Sequence, residues 1–190
     1  MRIDYTRWHQ AIVAWPVSGP AEYKLARTLA GVLAFVDGAQ WQGACHATTA
    51  VSTVLLREQD VEAQPYIGEC KNQEGFFDHS WVEVNSLVYD VAIAMPLTHV
   101  HAQAPVFGGL SVDTKQPTPI SYGVKSPSGY DDPAEMIRAI SIADYMDAFP
   151  NHPEGLWGIA KIIGKSLGLR LNNGVMKKTY AELKWKERGA

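Results

Sequence analysis

Apolar and polar positions along the chain change period twice. Trp8, Ile12 and Trp15 recur at roughly helical spacing before Pro16, Gly19 and Pro20 break the pattern. Residues 21–36 place Leu25, Leu29, Val32, Leu33 and Val36 on one face, which predicts a helix closed by Asp37 and Gly38. Val51, Val54 and Leu55, followed by Arg57 and Glu58, predict a second helix from about Cys45 to Glu58, with no strong capping residue at Gly43-Ala44. Residues 61–70, 76–85 and 87–94 then alternate, rich in β-branched and aromatic side chains. They predict three antiparallel strands, joined through 71–75 and through a tight turn at Asn85-Ser86.

Residues 96–130 are rich in Pro, Gly and Ser and predict a long irregular excursion with a short strand near 120–124. From 131 to 149 the pattern predicts one helix, with Asp132 as cap, Pro133 at its first position and Glu135 in its first turn. Pro150 and Pro153 bracket a break; residues 154–168 and 176–188 predict two further helices, the last with a basic outer face. The whole reads as one α+β domain over 1–190: a core at about 21–95, the excursion at 96–130 and C-terminal helices at 131–190.

Composition narrows the function classes. The 190 residues carry a net charge of -3, so a general nucleic-acid surface is not expected; Lys177, Lys178, Lys184, Lys186 and Arg188 read as a solvated helix face. No signal-like start and no apolar stretch of membrane-spanning length is visible, which predicts no membrane partner and a cytoplasmic protein. Two cysteines, Cys45 and Cys70, do not make a disulfide framework. A reducing compartment disfavours a regulatory bond between them, and Cys70 reads as filling space at a strand end, near His79 if it pairs close to Phe77.

Cys45 therefore stands as a chemical group. At a helix start, its sulfur would feel unpaired N–H groups that favour a thiolate and can receive an oxyanion. A cysteine nucleophile needs a base, and His79 on the second strand is the candidate. If Asn85-Ser86 is a two-residue turn, Trp81 faces Asp90 and His79 faces Ala92. His79 and Asp90 then share one side of the hairpin as diagonal neighbours, with Cβ atoms roughly 7 Å apart. A slip of one residue would put them on opposite faces.

The segments GACHATTA, FFDHSWVEV and VYDVAI, in that order, resemble the core of the transglutaminase-like group of papain-like cysteine enzymes. The resemblance spans about residues 40–95. It extends to the transglutaminase-like leader peptidases of lasso-peptide pathways and, more remotely, to arylamine acetyltransferases. It implies Cys45 as nucleophile, His79 as base and Asp90 as the orienting acid. It also implies a second oxyanion donor, for which Gln42, Gln40, Trp8 and Trp15 are the candidates. The expected chemistry is acyl transfer through an acyl-enzyme, without cofactor or metal, on a peptide or protein substrate. Hydrolysis is the reading carried forward, with transfer to an amine left open.

Other readings remain in view. Trp81 is a candidate for substrate binding, although packing explains it as well. His46 is read as pointing elsewhere on its helix. Tyr122 and Gly123 are the part of the excursion expected to approach the site. The fold could serve a non-catalytic binding protein, or His99 and His101 with a carboxylate could hold a metal for hydrolysis. The sequence does not set the oligomeric state.

Overall fold

A computed structural model describes residues 5–97, 101–150 and 152–188. Its first three helices are α1 (Tyr5–Val13), α2 (Pro20–Ala39) and α3 (Cys45–Arg57). Each buries the face its periodicity marks: Trp8 and Ile12 in α1, Leu25, Leu29, Leu33 and Val36 in α2, and Val51, Val54, Leu55 and Leu56 in α3. Burying each such aliphatic side chain favours the fold by about 1.5–3 kcal/mol. Pro20 opens α2, and Gln40 ends it in a left-handed conformation with its N–H bonded to carbonyls of the last turn.

The three central strands are β1 (Gln64–Asn72), β2 (Gly75–Val84) and β3 (Leu87–Asp90). Asn85 and Ser86 both have positive φ, 51° and 63°, which makes the β2–β3 link a tight turn of the primed kind. The register is Val82 opposite Tyr89 and Val84 opposite Leu87, as a two-residue turn requires. In the first hairpin Cys70 stands opposite Phe77, the pairing on which its closeness to His79 was argued.

The sheet has two faces. Ile67, Val82, Val84 and Tyr89 join the large core built with the helices, whereas Cys70, Trp81, Val88 and Ile120 form a smaller cluster packed with Tyr66, Phe77 and Tyr122. His79 and Asp90 fall on this second face by strand alternation.

The excursion supplies more strand than its composition suggests. β4 (Val106–Phe107), β5 (Leu110–Ser111) and β6 (Ser121–Tyr122) extend the sheet, in the order β5-β4-β3-β2-β1-β6, which curls into a half-barrel. Cys70 of β1 lies opposite Tyr122 of β6.

Two expectations for the C-terminal part are corrected. Residues 131–149 form two helices, α4 (Asp132–Ala139) and α5 (Ile142–Ala148). Ser141 and Asp144 make a reciprocal capping box that starts the second helix, and Asp131, not Asp132, caps the first by accepting the Ala134 N–H. After α6 (Gly155–Ser166), the stretch expected as one basic helix is a short α7 (Asn173–Thr179) followed by β7 (Lys186–Glu187), parallel to β1. Lys184 and Lys186 thus lie on extended chain, and Arg188 reaches in to pair with buried Glu83. The chain is α+β, and no helix among the described residues is long and apolar enough to cross a membrane.

Replacing Ser86 by glycine removes the cost of holding an L-residue at positive φ in the turn that sets the β2–β3 register. The expected result in urea unfolding is a gain of about 1 kcal/mol, seen as a higher midpoint at unchanged slope.

Candidate functional site

Cys45 is the first residue of α3, and the residue before it, Ala44, gives the helix no side-chain cap. The first-turn N–H groups are therefore left for another acceptor, at a stability cost of about 1 kcal/mol relative to a capped helix. Gly43 fixes the entry. Its φ is +64°, and a Cβ there would come within 2.6 Å of the Leu97 side chain. Its N–H donates to the Met95 carbonyl, tying the approach to α3 to the chain just beyond β3.

His79 and Asp90 meet as the hairpin register requires. Nε2 of His79 lies 2.7 Å from Oδ2 of Asp90, and both residues are buried. Two more parts of the chain hold the carboxylate. The Tyr122 hydroxyl donates to Oδ2 at 2.8 Å, and the backbone N–H groups of Ala92 and Ile93 donate to Oδ1 at 2.9 and 3.3 Å. Those two residues belong to a 3-10 turn, Ala92–Ala94, that takes the chain out of the sheet where it was expected to continue as strand.

With Nε2 occupied, Nδ1 is the ring nitrogen left for the sulfur, and His79 and Cys45, which line one cleft, shift each other's protonation. Burial disfavours the imidazolium. The charge and hydrogen bond of Asp90, with the contact to Cys45, outweigh it and push His79 up to about 10. Burial would likewise push the Cys45 thiol up, but the electrostatic influence of the two neighbouring rings, His46 and His79, holds it well below its ordinary value. The arrangement favours a thiolate–imidazolium pair with a carboxylate behind it.

His46 is not incidental. Its Nδ1 lies 2.7 Å from the Ser80 hydroxyl, its ring sits edge-on to Tyr145 and Trp185, and it acts on the sulfur beside it. A Cys-His pair at a helix start was the available signal; what it lacked was the position of β2, which presents Ser80 to that face of the helix. Tyr122 does approach the site, through its bond to Asp90. Burial and the charge of Asp90 hold its phenol well above the ordinary value, so it remains a donor.

The expected second oxyanion donors are not brought here. Gln40 is exposed and folds back on Asp37, with Nε2 2.6 Å from the Asp37 carbonyl. Gln42 is exposed and does not line the cleft. Trp8 donates to Asp113 at 2.9 Å, and Trp15 packs on Phe107 under Lys115. Trp81 is fully buried, donates to Glu83 at 2.9 Å and stacks on Tyr66, so it packs the sheet and does not face a ligand. Cys70 is buried, and both cysteines are free thiols. His99 lies outside the described residues, and His101 pairs with Glu74; among the described residues no group of three or more His, Cys, Asp or Glu is placed to hold a metal.

Cys45, half-buried, and His79 line one cleft of about 660 Å³, walled by Phe76 and Phe77 from the first hairpin, by Ile93 and Leu97 after β3, and by residues 128–131 before α4. No family model, curated protein or solved structure matches the chain.

The raised His79 value gives a signed prediction. Its folded value, about 10, exceeds the free value of 6.5, so its contribution to stability is complete below the free value and is lost as pH rises through about 10. Unfolding free energy should fall along that alkaline limb, and His79→Ala should flatten it. In Tyr122→Phe, Asp90 loses one of four donors, with an expected cost of about 1.5–3 kcal/mol for a bond to a charged group, read by denaturant melts.

Proposed function

We propose that the protein is a thiol-dependent acyl-transfer enzyme, a cysteine peptidase, amidase or transglutaminase, acting on a peptide or protein through Cys45, His79 and Asp90. One observation carries the reading: a sulfur at an uncapped helix start and the His79 ring of a buried His–Asp pair line one cleft. Their order along the chain and their placement on helix, strand and strand support a transglutaminase-like core. Two free cysteines fit a reducing, cytoplasmic setting.

In the first half-reaction the Cys45 thiolate attacks the carbonyl carbon of an amide. Charge gathers on the oxygen, and the first-turn N–H groups of α3 receive it. The tetrahedral adduct collapses as the C–N bond breaks; the proton on His79 passes to the departing nitrogen, and a thioester remains on Cys45. In the second half-reaction His79 takes a proton from water, the resulting hydroxide attacks the thioester, and the C–S bond breaks to give a carboxylic acid and the thiolate. An amine in place of water would give a new amide. Asp90 keeps Nε2–H fixed, so that Nδ1 faces the sulfur throughout. His46 lowers the cost of the thiolate without lying in the path of the proton.

A binding protein that keeps the fold without the chemistry predicts a different thiol. Iodoacetamide near neutral pH should modify Cys45 rapidly and Cys70 slowly, and His79→Ala should slow the first reaction. On a cleavable substrate His79→Ala should lower kcat/KM by about a hundred- to ten-thousand-fold, and Cys45→Ala should abolish turnover. Slow labelling of Cys45 that ignores His79 would leave only the binding reading.

A further inference from the structure

The cleft that opens on Cys45 and His79 is lined by four carboxylates, Glu69, Glu74, Asp78 and Asp131, and by no lysine or arginine among the described residues. Uncharged donors hold the inner ones. Glu69 accepts from the Ser126 N–H and hydroxyl, and Asp78 accepts the Asp131 N–H at 2.6 Å. Burial raises Asp78, and the charges of Asp131 and Glu69 raise it further, as crowded like charges should. Glu74 pairs with the exposed His101.

Cations on the flanking segments are three with partners, Arg138, Arg188 and Lys71, and the exposed Lys125 beside Ser126. Arg138 pairs with Glu135 and Glu187, Arg188 pairs with Glu83, and Lys71 lies over the Phe76 ring. Beside the carboxylates the wall is apolar, with Phe77, Ile93, Leu97 and Tyr130. Acidic heads next to aromatic and aliphatic surface suit a charged group on a hydrocarbon stem. The nucleophile in the same cleft requires that a substrate enter it.

We propose that the substrate of this cleft carries a cation on an aliphatic stem, an ammonium or guanidinium group, seated among Glu69, Asp78 and Asp131 while the reacting carbonyl lies at Cys45. The inference rests on the acyl-transfer reading and names the substrate class for that site. An acidic cleft would also concentrate such substrates and repel anionic ones.

Two methanethiosulfonates of similar size test it, one ending in trimethylammonium and one in sulfonate. Each forms a mixed disulfide at Cys45 and expels methanesulfinate, and the site is located by mass spectrometry. The cation-to-anion rate ratio, divided by the same ratio for free cysteine, should exceed about tenfold. It should fall several-fold in the Asp78→Asn/Asp131→Asn double variant, whose side chains keep an acceptor for the Asp131 N–H and for the helix cap. In the wild type it should fall with added salt, which needs no variant to fold. A normalised ratio near one, or one unmoved by both salt and the double variant, overturns the proposal. Slow modification by both reagents, unaffected by His79→Ala, would instead remove the acyl-transfer reading.

A competition arm separates two sources of the cation. Protection of Cys45 by a blocked Ala-Arg-Ala peptide, beyond that given by blocked tri-alanine, assigns it to a basic side chain. Protection by spermidine alone assigns it to a free amine, and protection by neither counts against the proposal.

Discussion

Asp90 carries a negative charge into the interior, and donors from three separate stretches of chain converge on it: the His79 ring from β2, the Tyr122 hydroxyl from β6, and two N–H groups from the turn after β3. An isolated carboxylate in that position would be very costly. Held by four bonds, it becomes a fixed charge against which the neighbouring groups set their protonation. Removing a partner from such a buried pair costs about 3–5 kcal/mol, because the remaining charge stays buried. The same carboxylate thus joins the long excursion to the sheet and ends β3 where the cleft begins.

From Asp90 the charge pattern runs outward. The carboxylate favours a proton on His79, and the protonated ring favours a thiolate at Cys45. The uncapped start of α3 and the second ring at His46 push in the same direction. Each element contributes what its backbone position allows: a helix tip supplies oriented N–H groups, and a hairpin with fixed register supplies two side chains on one face. The two layers meet because Gly43 and the 3-10 turn bring the start of α3 against the end of β3.

Much of this was legible in the residues. Period-two alternation marks the central strands, and a two-residue link at Asn85-Ser86 fixes which side chains share a face, so the His79–Asp90 pair follows from counting alone. Where the prediction departed from the structure, distant contacts decided. A continuous helical pattern over 131–149 conceals a break because the Ser141–Asp144 box competes with helix continuation, and the Ile142 N–H takes the Leu183 carbonyl. The basic C-terminal stretch pairs with β1, a partner far away in the sequence. Gln40 lies close to Cys45 in sequence, yet its left-handed backbone turns it onto Asp37. The position of His46 depended on Ser80 across the layer boundary, which no helical periodicity encodes.

The central claim is that Cys45 rests as a thiolate paired with a protonated His79, and ultraviolet thiolate absorbance measures it directly. The difference spectrum between the wild type and Cys45→Ser, titrated with pH, should show the thiolate already formed near neutral pH and lost only well below the ordinary thiol value of 9.0, with His79→Ala moving the step upward. A thiolate that forms only near 9.0, and at the same pH with or without His79, would contradict the account.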